Sequence, residues 1–302
     1  MIEKVNYQGW PNCYRLANDS IEVIVTTDVG PRVIRLGFIG QPNEFAEIAP
    51  MMGQTGGDEF RIYGGHRFWH APEARPRSYV PDNGPVDIKR HKDYVRLTPP
   101  TEAATGIQKE IDVHLSAEKA QVTVVHRLYN RGLWAVELSP WAISLMAAGG
   151  RAILPLPPRG PQRDNLLPTS LLAIWPYTDL SDPRFILGSR YIMLRQDRKM
   201  PSPQKIGGMI SDGWAAYFNR GHLFLKAFDY ENGLPYPDFG CSVECFTNDA
   251  ILELETLGPL TLLEPDEYLE HVEKWFLFRD VPEPHNDSDI ERNILPLLQP
   301  AV

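Results

Sequence analysis

From residue 107 the chain reads Ile-Gln-Lys-Glu-Ile-Asp-Val-His-Leu, with polar and apolar residues mixed near a period of two. A period of two belongs to a half-buried β-strand. Val122-Thr-Val-Val-His-Arg-Leu128 is rich in β-branched residues and predicts a strand over 121–129, and Ser116–Ala120 between the two runs predicts a hairpin loop. Strands are also predicted over 21–27, 31–39, 94–97, 191–195, 215–218, 223–228, 242–247, 251–257, 260–263 and 269–278. Trp134–Met146 predicts one long strand or two bent ones. Only the tail from Ser288 to Leu298 has helical spacing, with Ser288 or Asp289 as its N-cap and Pro296 disturbing it late. Most of the 28 prolines and 23 glycines fall between these runs. Short strands recurring about every ten residues, with turn residues between them, predict an all-β sandwich. The Pro-rich stretch Leu154–Pro161 is expected to cross the surface of one domain rather than to join two. The expectation is one domain over 1–302, with its core at about 20–280.

Composition narrows the classes. A chain of 302 residues can bury a large core, and 43% hydrophobic with 23% charged residues is ordinary for a globular protein. A net charge of -9 argues against nucleic acid as a partner, and the basic run Lys89-Arg-His-Lys92 predicts a solvated turn. Cys13, Cys241 and Cys245 are odd in number and lack zinc-type spacing, so buried free thiols in a reducing compartment are expected. No apolar run reaches the length of a membrane span, and the first residues lack an apolar h-region. These features predict a soluble, cytoplasmic protein with no membrane partner. Oligomeric state stays open. Trp134, Trp141, Trp175 and Trp214 are each expected in the core. Asp28 is expected to bond its own turn. The pairs Gly56-Gly57, Gly149-Gly150 and Gly207-Gly208 neither follow a strand nor open a helix, so phosphate and dinucleotide loops are excluded; no Gly-x-Ser-x-Gly elbow occurs.

The densest chemistry lies in Arg61-Ile-Tyr-Gly-Gly-His-Arg-Phe-Trp-His-Ala-Pro-Glu73. Read as a Gly-marked loop, it offers His66 as an acid or a hydrogen-bond donor, with the glycines letting a ligand approach. Arg61 or Arg67 is a candidate for bidentate binding of hydroxyls or a carboxylate. Phe68 and Trp69 would form an apolar platform. The plainer alternative places Trp69 in the core and lets the histidines satisfy backbone groups. No metal or cofactor is expected. The alternative metal set is His66, His70 and Glu73, the two histidines sharing one side of a strand, with His114 or His126 completing it.

Four segments together resemble the galactose mutarotase-like superfamily, the aldose 1-epimerases and their relatives. Thr27-Asp-Val-Gly-Pro-Arg-Val-Ile-Arg-Leu-Gly37 resembles the family's opening hairpin. Arg61 with Gly64-Gly65 is similar to the Arg-Gly-Gly segment of hexose-phosphate mutarotases. Leu115–Gly132 resembles a family strand, hairpin and strand end. Leu254-Glu-Thr-Leu-Gly-Pro-Leu-Thr-Leu-Leu-Glu-Pro-Asp-Glu267 resembles the Leu-Glu-Thr strand and its Pro-Gly-Glu turn, with Asp266 in the glycine's place. The resemblance implies a large antiparallel β-supersandwich in a bacterial branch apart from the true galactose mutarotases. It also implies a small-molecule carbohydrate as partner and acid/base chemistry at the anomeric centre.

By this resemblance Glu255 is the base. Glu253 shares its side of the strand, and Glu244 is the second candidate for a substrate contact. Where the family carries its acid histidine, this chain has Trp141, and no histidine occurs between His126 and His222. A Trp stacks on a sugar but moves no proton, so the resemblance leaves the acid unassigned, and His66 is the candidate for that role or for a hydrogen bond to the sugar oxygens. Two other functions stay open: a carbohydrate-binding protein without turnover, and a metal-assisted sugar lyase or isomerase.

Overall fold

The computed structural model describes residues 1–298, and its strands form two antiparallel sheets. With strands numbered along the chain, the first sheet runs β1 (Ile2–Tyr7), β2 (Trp10–Ala17), β3 (Ile21–Thr26), β4 (Arg32–Phe38), β5 (His66–Ala71) and β10 (Val136–Met146). It continues through β19 (Leu252–Leu257), β18 (Val243–Thr247), β15 (Gln204–Gly208) and β12 (Leu172–Ile174), and β20 (Thr261–Leu263) pairs with the start of β10. The second sheet runs β13 (Phe185–Leu187), β14 (Tyr191–Arg195), β11 (Arg151–Pro155), β16 (Trp214–Asn219) and β17 (His222–Phe228). It ends with β21 (Tyr268–Phe278), β9 (Gln121–Asn130), β8 (Ile107–Leu115), β7 (Tyr94–Thr98) and β6 (Asp87–Arg90). Fold class and C-terminal helix are as expected from the sequence.

Strand β9 alternates: Val122, Val124, His126 and Leu128 are buried, and Thr123, Val125 and Arg127 between them are part-exposed. That core lies between the sheets and joins Val23, Val25 and Leu36 of the first to Phe224 and Trp275 of the second. Aromatic rings set its middle, with Phe45 edge-on to both Phe224 and Trp275 at 5.6 Å. Two short helices, α1 (Asp287–Asn293) and α2 (Leu295–Leu298), lay Ile290, Ile294 and Leu298 against Trp214 and Phe276 on the outer side of the second sheet. The cap of α1 is Asn286, whose side-chain oxygen accepts from the Asp289 backbone N–H, rather than Ser288 or Asp289.

Three other expectations change. Lys89 and Arg90 belong to edge strand β6, not to a turn. Asp28 bonds Asn12 across the neighbouring strand instead of its own turn. Trp134 is 82% exposed on the turn that leads from β9 of the second sheet to β10 of the first. The three cysteines are buried and free. Asp266 occupies the left-handed region at φ 67°, so it does fill the place of a turn glycine.

The segment read as a loop is the largest departure. His66–Ala71 is strand β5, buried at every position and paired to β10. Gly64 and Gly65 serve this strand's entry rather than a ligand. A Cβ on Gly64 would sit 2.1 Å from the Ala46 carbonyl oxygen, and one on Gly65 would sit 2.4 Å from that of Val33. Polar residues filling a buried strand hid the periodicity, because both of its faces are covered.

Candidate functional site

Strand alternation sends the residues of β5 to opposite faces. His66, Phe68 and His70 point between the sheets, whereas Arg67 and Trp69 point to the outer face of the first sheet. Trp141 and Ile143 of β10, Glu253 of β19, Phe246 of β18 and Lys205 of β15 meet them there. The loops carrying Phe60, Tyr79, Trp175 and Tyr177 close over this face and leave a cavity of about 410 Å³. Aromatic rings line it: Trp69 stands edge-on to Trp141 at 5.4 Å and to Tyr79 at 5.2 Å. Such walls suit the apolar faces of a sugar ring.

Charge is concentrated on the floor. Lys205 Nζ lies 2.6 Å from Glu244 Oε2 and 3.2 Å from Glu255 Oε2. The ammonium also sits 5.1 Å from the Trp141 ring centre and 4.7 Å from that of Trp175. Trp141 Nε1 donates to Glu255 Oε2 at 2.8 Å. Glu244 and Glu255 are direct cross-strand partners in β18 and β19, so two buried carboxylates share one ammonium. Burial pushes Glu244 well above the usual carboxylate range, with Glu255 adding to the rise and Lys205 opposing it. Burial also raises Glu255, again against Lys205. Burial alone would lower Lys205, but the two carboxylates hold it well above its ordinary value. The carboxylates therefore favour the charged ammonium, and burial favours a protonated carboxyl in the pair.

Arg67 is the second cation of the cleft. Its Nη2 donates to Glu253 Oε1 at 2.9 Å, and its guanidinium stacks 4.5 Å from the Trp69 ring centre. Its Nε and Nη1 are buried and have no partner, as is Glu255 Oε1. Glu244 has no hydrogen bond of good angle beyond its ion pair with Lys205. Unpaired buried polar atoms are costly, and those of Arg67, Glu244 and Glu255 lie in this cavity's wall or directly beneath it.

Of the residues singled out in the sequence, the structure brings Arg67, Trp69, Trp141, Glu244 and Glu255 together. Arg61 is not with them: its Nη1 donates to the Gly56 carbonyl at 2.5 Å, inside its own loop. His66 is absent from the cleft and fully buried between the sheets. Its Nδ1 meets Ser144 Oγ and its Nε2 meets His126 Nε2, each at 2.8 Å. The alternative metal set is not assembled either. Glu73 lines the cleft, while His70 lies 4.0 Å from Glu102 on the other face.

His66 instead joins His126 and Glu273, whose ligand-type atoms lie within 4.8 Å of one another. Lys226 ion-pairs Glu273 there at 2.8 Å, Trp275 Nε1 donates to it at 2.7 Å, and Thr256 bonds His271 at 2.9 Å. Burial alone would raise Glu273, yet Lys226 and the histidines hold it well below the usual range. Burial drives His126 down to about 4 and His271 to about 3.

The sequence reading missed Lys205, Tyr79, Tyr177 and the role of Trp175. One signal was present. Gly207 lies opposite Glu244 across β15 and β18, and a Cβ there would come within 3.1 Å of Glu244 and 3.2 Å of Trp175. The glycine keeps room for the buried carboxylate beneath the indole.

No protein-family model matches the chain, and no curated protein does. Solved structures do match. A galactose mutarotase-like protein from Lactobacillus casei superposes with a TM-score of 0.58 at 9% identity, over 88% of this chain and 100% of that one. One from Clostridium acetobutylicum gives 0.52 at 12% identity, over 92% and 98%. A TPR-domain containing protein from Parabacteroides distasonis gives 0.60 at 17% identity, over 90% of this chain but 48% of the other. Identities this low speak for the fold alone. The chain has the galactose mutarotase-like fold, two large antiparallel sheets closed by short C-terminal helices.

Proposed function

We propose that the cleft binds a sugar and exchanges its anomers by acid/base chemistry. The observation that carries this reading is Lys205, set between the cross-strand carboxylates Glu244 and Glu255 on the floor of an aromatic cavity. Glu255 acts as the base, through its unpartnered Oε1, and takes the proton of the anomeric hydroxyl. The electrons of that O–H bond form the carbonyl, the bond from the anomeric carbon to the ring oxygen breaks, and the ring oxygen keeps that electron pair. Lys205 faces the cavity and gives the ring oxygen its proton, which Glu244 restores from the one the carboxyl pair retains. Rotation and reclosure return both protons. Arg67, Trp69 and Trp141 hold the ring, and His66 takes no part.

General acid and base groups contribute roughly 10²–10⁴-fold each. Wild type is expected to speed anomer exchange of at least one aldose, uronic acid or sugar phosphate in an NMR exchange assay. Glu255→Gln should lose about 10²-fold or more, and Lys205→Met a comparable factor. Full activity in Glu255→Gln would remove this mechanism. A second reading, sugar binding without turnover, is favoured by the complete burial of Glu244 and Glu255 behind Lys205 and Trp141. Saturable binding with no exchange on any sugar would select it.

A further inference from the structure

The cavity is longer than one sugar. A second hollow of about 300 Å³ adjoins the first and shares Glu73, Tyr79, Trp175 and Lys205 with it. Taking a water's share of liquid as roughly 30 Å³, a pyranose with its hydroxyls fills the space of about six waters, on the order of 200 Å³. The inner cavity of about 410 Å³ already holds one such ring, so the outer hollow is room for another. Its lining is also different in kind. Arg75 and Asp238 are confined to the outer part, and Arg75 lies over the Tyr79 ring at 4.2 Å.

The turn that carries Asp238 supplies the second observation. Asp238 and Phe239 have φ of 49° and 67°, two successive non-glycine residues in the left-handed region that side chains rarely adopt. The turn is nevertheless pinned. The backbone N–H groups of Gly240 and Cys241 donate to the Pro237 carbonyl at 2.9 and 2.8 Å, and the Cys241 thiol donates to the Asp238 carbonyl at 3.1 Å. A strained turn held in this way keeps Asp238 in the lining of the outer hollow with Arg75 and Tyr79, where charged and aromatic groups suit the hydroxyls and faces of a ligand that reaches out of the cavity.

We infer that the cleft takes an oligosaccharide of at least two linked residues, the second lying in the outer hollow against Tyr79 and Arg75. This rests on the sugar-binding reading above. Lys205 lines both hollows, so either ring is within its reach.

Isothermal titration with glucose, galactose and mannose, and with maltose, maltotriose, cellobiose, cellotriose and lactose, tests it. A disaccharide or trisaccharide should bind at least tenfold more tightly than its monosaccharide. Arg75→Ala should remove that advantage and leave the monosaccharide Kd in place. Equal affinity for single and linked sugars, unchanged in Arg75→Ala, would overturn the extension and leave the sugar site standing. No binding of any of these sugars would overturn the extension, and a negative anomer-exchange assay beside it would overturn the sugar-binding reading as well.

Discussion

Two charged clusters lie back to back across the middle of the first sheet. Between the sheets, Glu273 is met by Lys226, Trp275 and Thr256, and His66, His126 and His271 each find partners. No nitrogen or oxygen of these seven side chains is buried without a hydrogen bond. On the outer face, Lys205, Glu244, Glu255 and Arg67 are as deeply buried, yet they leave several atoms unpaired. One ammonium serves two carboxylates there, whereas one carboxylate is served by several donors between the sheets. A closed network of matched groups specifies packing. An unmatched one beside a cavity keeps atoms free for something that enters it. The difference lies in satisfaction and access rather than in residue type, since both clusters are rich in acid and base groups.

The strongest test of this contrast is Lys226→Met. It strands the Glu273 carboxylate between the sheets, and breaking a buried pair in this way costs about 3–5 kcal/mol. Urea unfolding should show that loss, and a variant within 1 kcal/mol of wild type would mean that the network is not holding the sheets together.

Opposite responses to pH come next. The three inter-sheet histidines are held below their ordinary pKa, so the folded state binds fewer protons than the unfolded chain. Their contribution is complete above the unfolded value of about 6.5 and is lost as pH falls toward the folded ones, at up to about 1.4 kcal/mol per unit for each histidine. Glu273, held low, is lost in the same direction as pH falls. Glu244 is raised, so its contribution is present below the unfolded carboxylate value of about 4.3 and declines as pH rises through the folded one. Unfolding free energies measured from pH 4 upward should therefore climb toward pH 6.5, less steeply than the three histidines alone would give, because Glu244 gives up its contribution as pH rises. A flat profile would contradict both assignments.

The smallest effect separates the outer cluster by itself. Glu244→Gln leaves a neutral group that cannot ionise beside Glu255, so stability at pH 7 should hold or rise by up to about 1 kcal/mol. Stability should then climb more steeply between pH 4 and 6.5 than in wild type, while anomer exchange falls. A loss of several kcal/mol would place Glu244 among the structural groups instead.

How far all this was legible varies by element. In the second sheet β8 showed its period of two directly, and β9 was legible from its β-branched residues. Short or edge strands such as β12 and β13 carry too few residues for a period to register. Strand β5 was missed because both its faces are covered and both carry charge. The resemblance placed Glu255 and offered Glu244, and strand periodicity put Glu253 beside Glu255. None of these gave Lys205, because a lysine among Gln204, Ile206 and two glycines has no motif. His66 shows the opposite error, a chemically rich residue whose strand face points it away from the cleft.

The sequence by itself determined the all-β class, the hairpins with clear alternation, the C-terminal helix and the candidacy of Glu255. These depend on local period, turn chemistry and short motifs, all carried by neighbours in the chain. Only the tertiary structure decided that Glu244 faces Glu255, that Lys205 lies between them, and that His66 belongs to the interior. Those facts depend on strand register and on which face of a sheet is covered. Both are fixed by contacts between residues far apart in sequence, and a one-residue change of register would send each of these side chains to the other side.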